Sequence, residues 1–200
     1  PDVAVTNGSN ITVLRNTSSV GSINFAAGSN LTEGNGQRSI NIADFDGDGN
    51  PDIASINSST LYIFRNLSVY GNISFASPLQ YPNFNSANKI IAGDVNNDNK
   101  PDIIVIDSFN NTLSVFANQS SVGNISFATR VVFITGSGGS WVTVHNLNGD
   151  TNLDVVATNS GDNTLSVLRN LGSGISFDNK IDFGVGISPL ACSAGDFDGN

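Results

Sequence analysis

Hydrophobic residues fall in short runs separated by polar, glycine- and asparagine-rich turns, and the spacing of these runs recurs four times. An apolar stretch (Ile53–Ile56, Ile103–Ile106, Val155–Ala157) leads into an Asn/Ser turn. An alternating run follows: Ile11–Arg15, Leu61–Arg65, Leu113–Ala117 and Leu165–Arg169. Next comes Ile-x-Phe at Ile23–Phe25, Ile73–Phe75, Ile125–Phe127 and Ile175–Phe177, and then a last short run at Ile40–Ala43, Lys89–Ala92, Trp141–Val144 and Leu190–Ala194. Period-two alternation, β-branched residues and turn punctuation predict strands of about four to seven residues. No segment combines a helical period with helix caps, so the chain is predicted to be all-β.

Between the last run of one unit and the first of the next lies an acidic segment. Asp44-Phe-Asp-Gly-Asp-Gly-Asn-Pro-Asp52, Asp94-Val-Asn-Asn-Asp-Asn-Lys-Pro-Asp102 and Asn146-Leu-Asn-Gly-Asp-Thr-Asn-Leu-Asp154 align without gaps, and Asp196-Phe-Asp-Gly-Asn200 matches the start of a fourth. Pro1-Asp2-Val-Ala-Val matches Pro51-Asp52-Ile-Ala-Ser. Internal repetition at about fifty residues, with four short antiparallel strands per unit, is the signature of propeller blades. Residues 1–200 thus read as one propeller, or a segment of one, with loops starting at 44, 94, 146 and 196.

The repeats resemble those of the FG-GAP (VCBS-type) family, the calcium-loop blades also found in the integrin α-subunit head. The resemblance spans essentially the whole chain and is most specific in the Asp-x-Asp-x-Asp-Gly-x-x-Asp loop after a small residue, as in Ala92-Gly93-Asp94 and Ala194-Gly195-Asp196. Phe183-Gly184 matches the Phe-Gly half of the family's name. The family's usual ring has seven blades. Four units therefore leave a closed four-bladed ring, a part of a larger ring, or a unit that joins further copies head to tail.

The loops suit calcium, a hard cation that takes six to eight oxygen ligands. In a tight loop, side chains at positions 1, 3, 5 and 9 converge and position 7 offers its carbonyl. The predicted ligands are Asp44, Asp46, Asp48, Asn50 and Asp52 in the first loop. The second would use Asp94, Asn96, Asp98, Lys100 and Asp102, and the third Asn146, Asn148, Asp150, Asn152 and Asp154. Asp196, Asp198 and Asn200 begin a fourth, which Asp2 of the same ring or of a neighbouring chain would complete. Gly47, Gly49, Gly149, Asn97 and Asn99 stand where positive φ is expected, and Thr151 departs from that pattern. An apolar residue at position 2 (Phe45, Val95, Leu147, Phe197) is expected to pin each loop to the core. An EF-hand would need a Glu at position 12 and flanking helices; Ser55, Val105 and Ala157 stand there instead, between strands.

Composition sharpens this picture. Lys and Arg number 8 against 17 acids, for a net charge of −9, yet only 12% of residues are charged. All the acids except Glu33 are Asp, and twelve of the seventeen occupy loop-ligand positions. Three bound Ca²⁺ would bring the formal charge from −9 to −3. Eight scattered cations make no nucleic-acid face, and no apolar run is long enough to span a bilayer as a helix. The absence of Met predicts a mature form or a fragment. The lone cysteine, Cys192, excludes an internal disulfide and is expected as a buried thiol.

Ten Asn-x-Ser/Thr sequons, at Asn7, Asn10, Asn16, Asn30, Asn57, Asn66, Asn72, Asn110, Asn118 and Asn124, are candidates for glycosylation. Asn16, Asn66 and Asn118 are repeat-equivalent, as are Asn72 and Asn124. Either glycans line up in rows, or the repeat itself favours Asn and Ser in its turns. His145 is expected at a strand end and Trp141 between blades. One His, one Cys and one Glu make a poor inventory for acid–base catalysis. The expectation is an extracellular, non-catalytic, calcium-stabilised module for adhesion, for binding a protein or glycan ligand, or for assembly. The alternative is the propeller of a polysaccharide-acting enzyme such as a lyase.

Overall fold

The computed structural model describes residues 1–8, 10–32 and 36–198; Asn200, a candidate ligand, lies outside the described residues. The described residues form fifteen strands and no helix: β1 (Val3–Thr6), β2 (Ile11–Leu14), β3 (Ser29–Leu31), β4 (Ser39–Ala43), β5 (Asp52–Ile56), β6 (Leu61–Phe64), β7 (Leu79–Tyr81), β8 (Ala87–Gly93), β9 (Asp102–Asp107), β10 (Thr112–Phe116), β11 (Val131–Ile134), β12 (Gly139–His145), β13 (Asp154–Asn159), β14 (Thr164–Leu168) and β15 (Ile181–Gly184). Sequential antiparallel pairing groups them into four sheets, β1–β3, β4–β7, β8–β11 and β12–β15. No helix among the described residues is long and apolar enough to cross a membrane.

The sheets pack face to face in chain order, β1 beside β4, β4 beside β8 and β8 beside β12, in a propeller-like arrangement. A strand covered on both faces needs a continuous apolar run rather than alternation. Ile103-Ile104-Val105-Ile106 in β9 is such a run, and every residue of β9 is buried. Each junction between sheets has its own core. Ile11, Val13, Ile53, Tyr62 and Phe64 fill the first. Phe45, Ile63, Ile103, Ile125 and Phe127 lead the second, and Val95, Ile104, Val115 and Val155 the third. Trp141 lies at the third junction as expected, with the Lys89 ammonium 3.9 Å from its ring centre.

Three details differ from the sequence reading. Among the described residues the first sheet has three strands, β1 to β3, where each of the others has four. Ile-x-Phe is not a ladder strand. Its Phe makes a single bridge to an Asn (Asn66 to Phe75, Asn118 to Phe127). In the third sheet both apolar side chains, Ile125 and Phe127, turn into the inter-sheet core. The outermost strand is instead the following segment, β3, β7, β11 or β15. The run Leu190–Ala194 has no ladder partner among the described residues and forms no strand, and Cys192 is half-buried rather than buried. The burial it does have pushes the thiol's pKa up.

Candidate metal centre

Each acidic loop joins the first two strands of a four-stranded sheet. Antiparallel register sets Asp52 opposite Ala43, Asp102 opposite Gly93 and Asp154 opposite His145, so position 9 returns beside the residue that precedes position 1. His145 thus stands at a strand end, as expected. The loop between must reverse direction, and left-handed residues do this. Gly47 and Gly49 have φ of 74° and 89°, and Asn97 and Asn99 have 62° and 63°. In the third loop Gly149 (78°) is followed by Thr151 at 74°. The third loop therefore keeps the shape of the other two, with a β-branched residue held where L side chains are strained.

Alternation of left-handed residues turns positions 1, 3 and 5 to the same side. One carboxylate oxygen from each of Asp44, Asp46 and Asp48 can be chosen so that all lie within 4.8 Å of one another. Asp44 also organises the loop: Oδ1 accepts the N–H groups of Gly47 (2.8 Å) and Asp48 (3.2 Å), and Oδ2 that of Gly49 (2.8 Å). Asp94 does the same with Asp98 and Asn99, and Asn146 with Gly149. Positions 3 and 5 each cap the N–H two residues on, as Asn96 does for Asp98 and Asp150 for Asn152. Asn148 caps Asp150 likewise. In the seventh position Asn50 is capped by Asp48 and Lys100 by Asp98.

Position 9 has a second task. Asp52, Asp102 and Asp154 are almost wholly buried. One oxygen of each accepts the position-2 N–H, of Phe45 (2.9 Å), Val95 (3.0 Å) or Leu147 (3.0 Å). The other accepts the N–H of Asn66, Asn118 or Asn170, each at 2.8 Å. Asp2 repeats half of this pattern, accepting from Asn16 at 2.7 Å. Burial pushes the Asp52 carboxyl upward, and it pushes that of Asp102 up to about 6, against the opposing pull of the Asn118 and Val95 N–H groups. Both Asp52 oxygens keep a lone-pair direction beyond the one the N–H uses, whereas Asp102 Oδ1 also takes a long hydrogen bond from Asn96 Nδ2 at 3.5 Å.

Two contributors were not singled out from the sequence. Arg65, at the end of the alternating run, places Nε 2.7 Å from Asp46 Oδ2 and Nη2 3.3 Å from Asp48 Oδ2. Gly123 N–H, from the next sheet, also donates to Asp46 Oδ2 at 3.1 Å. The equivalents of Arg65 differ: Ala117 has no charge, and Arg169 pairs with Asp178 at 2.5 Å. The second contributor is the Asn that follows each alternating run. Asn118 Nδ2 donates to Pro101 O in its own loop and to Phe45 O in the preceding one. Asn170 spans Leu153 O and Val95 O in the same way.

Among the glycosylation candidates, Asn118 has its amide buried, with two carbonyls taking its hydrogens. Asn57 is buried too, its Oδ1 capping Ser59 and Thr60. Asn7, Asn30, Asn72, Asn110 and Asn124 are exposed, and Asn10, Asn16 and Asn66 partly so. Position 2 is core in the first two loops, where Phe45 and Val95 are buried, whereas Leu147 and Phe197 are exposed.

Sequential antiparallel sheets packed in chain order, three of them carrying an acidic loop between their first two strands, define a propeller-like repeat protein. The FG-GAP-like repeat matches three times, over residues 1–55, 44–105 and 94–157, with the overlaps falling on the acidic loops themselves. The chain belongs to this family. No curated protein matches it.

Proposed function

We propose that the chain is a non-catalytic, calcium-stabilised repeat module that works outside the cell in adhesion, ligand binding or assembly. The observation that carries the reading is the convergence of Asp44, Asp46 and Asp48 within 4.8 Å on a loop whose shape two further loops repeat. Asp44, Asp46, Asp48, the Asn50 carbonyl and a free lone pair of Asp52 would hold the first ion. Asp94, Asn96, Asp98, the Lys100 carbonyl and Asp102 would hold the second, and Asn146, Asn148, Asp150, the Asn152 carbonyl and Asp154 the third. All these donors are oxygens, which fits calcium and not a soft metal.

The ion would neutralise carboxylates whose repulsion now falls on one guanidinium and a few N–H groups. Affinities of about 10⁻⁴–10⁻³ M are usual for extracellular modules and suit a calcium-rich outside compartment. The exposed sequons at Asn72 and Asn124, on equivalent hairpins, support an outside location if they carry sugar. Isothermal titration with calcium tests the reading. Saturable binding that weakens in Asp46→Ala and Asp98→Ala is expected; no heat from the intact chain would refute it.

A further inference from the structure

The three complete acidic loops share a ligand pattern but differ in what covers and follows position 3. In the first loop Asp46 is buried, and its carboxylate is held by Arg65 and the Gly123 N–H. In the second, Asn96 is half-buried and is followed by Asn97, whose own amide is tied to Asn152 Oδ1 at 2.6 Å. In the third, Asn148 is exposed and is followed by Gly149, also exposed, with open space where a Cβ would stand. Asparagine is a chemically labile residue. Its lability is governed by how freely the next backbone nitrogen reaches the side-chain carbonyl carbon, and a following side chain shields that nitrogen.

We propose that Asn148-Gly149 is a self-modifying site, at which the asparagine amide is converted to a carboxylate through a cyclic imide formed with the Gly149 nitrogen. Three contacts bear on the reaction. Asp150 N–H donates to Asn148 Oδ1 at 3.0 Å, which folds the side chain back along the loop and sets a donor where negative charge develops on that oxygen. Asp150 Oδ2 accepts from Asn148 Nδ2 at 2.9 Å and fixes the amide plane. Gly149 N–H donates to Asn146 Oδ1 at 2.9 Å, a neutral amide where the first loop has the Asp44 carboxylate. A nitrogen losing its proton beside a carboxylate is opposed by like charge. Beside Asn146 it is not.

The steps balance with water as the only co-reactant. Solvent base takes the Gly149 proton, the nitrogen bonds to Asn148 Cγ, and the Cγ–Nδ2 bond breaks. Nδ2 leaves as ammonia with a proton from water. Water then opens the imide. Attack at Cγ breaks the new bond and leaves an aspartyl residue in the original backbone. Attack at the Asn148 backbone carbonyl carbon leaves the chain running through Cγ, an isoaspartyl link. Either product adds negative charge to the loop. The aspartyl form matches Asp46 at position 3 and would hold calcium more tightly, an effect that rests on the proposed metal reading; the conversion itself does not.

Peptide mapping by mass spectrometry of the intact chain, held in chelator at mildly alkaline pH and sampled over days, tests the proposal. The peptide carrying Asn148 is expected to gain acid in two chromatographically distinct forms, while Asn96 keeps its amide. Gly149→Asn copies the second loop, whose Asn97 adopts the same left-handed backbone at φ 62°, and is expected to slow the conversion by an order of magnitude. Asn148 that stays an amide while a short peptide of residues 145–152 converts overturns the proposal. So does equal conversion at Asn96 or in Gly149→Asn. Calcium titration of Asn148→Asp, the aspartyl product made genetically, reads the consequence separately. Unchanged affinity beside a converting Asn148 refutes only the effect on the metal, and calcium that binds no form of the chain refutes only the metal reading.

Discussion

Asn118 Nδ2 lies 2.9 Å from the carbonyl oxygen of Phe45, a bond that ties the turn of one sheet to the acidic loop of the sheet before it. The partner hydrogen goes to Pro101 O at 3.0 Å, in the asparagine's own loop. Neighbouring loops are thereby held by a single planar amide, and Asn170 repeats the arrangement one sheet further on. The backbone N–H of each asparagine meanwhile holds the position-9 carboxylate. One residue type at one position thus fixes both the acidic loop and the stacking of sheets.

Asn118→Ala leaves two carbonyls without a donor. A buried polar group left unsatisfied costs about 1–3 kcal/mol, so denaturant unfolding is expected to show a loss of that order. Asn66, whose amide donates to one carbonyl among the described residues, that of Pro51, is expected to cost less. Peptide mapping of secreted protein is expected to find no sugar on Asn118; a glycan there would contradict its burial.

Arg65 competes with any cation for Asp46 and Asp48. Arg65→Ala is expected to tighten calcium binding at the first loop several-fold while lowering the melting temperature of the metal-free chain. Titration calorimetry on both forms checks this. Unchanged affinity would mean that the guanidinium swings aside at no cost.

Thr151 carries left-handed strain in an otherwise regular loop. Replacing a residue strained at positive φ by glycine removes a cost of about 1–3 kcal/mol, part of which returns as glycine's unfolded-state entropy. Thr151→Gly is therefore expected to stabilise the chain by about 1 kcal/mol in urea unfolding. Destabilisation would show that the threonine side chain holds the loop.

The pH dependence of the metal-free chain follows from Asp102. Its folded carboxyl titrates at about 6, above the ordinary value of 3.8, so at pH between these values the folded state keeps a proton that the unfolded state has lost. The associated stability is present at low pH and is lost as pH rises through about 6. Asp52 shifts the same way. Asp48 and Asp150 are held below 3.8 by the N–H groups of Asn50 and Asn152, so their contribution fails only in stronger acid. In chelator the melting temperature is expected to rise as pH falls from about 7 to about 5, and Asp102→Asn is expected to flatten the slope. A fall over that interval in the unmodified chain would contradict the assignment.

Strand periodicity, the repeat length and the left-handed positions could all be read from the chain, because each depends on local residue chemistry. Gly47, Gly49, Asn97 and Asn99 are left-handed for reasons that their own side chains supply. What escaped was non-local. Nothing near Asn118 in the sequence points to a carbonyl seventy-three residues away, and its sequon offered a competing meaning. Ile125 and Phe127 read as a strand by alternation, yet both turn inward because the neighbouring sheet brings Phe45 against them. Arg65 looked like the polar end of a strand; only folding brings it to Asp46.

Calcium in these loops is proposed to hold the fold together, and thermal melting with excess calcium and with excess chelator tests this directly. A ligand that binds only the folded state adds about 2.7 kcal/mol at a hundredfold excess over its Kd. The melting temperature is expected to be clearly higher in calcium, with part of that gain lost in Asp48→Ala or Asp98→Ala. Identical melting in calcium and in chelator would contradict the claim.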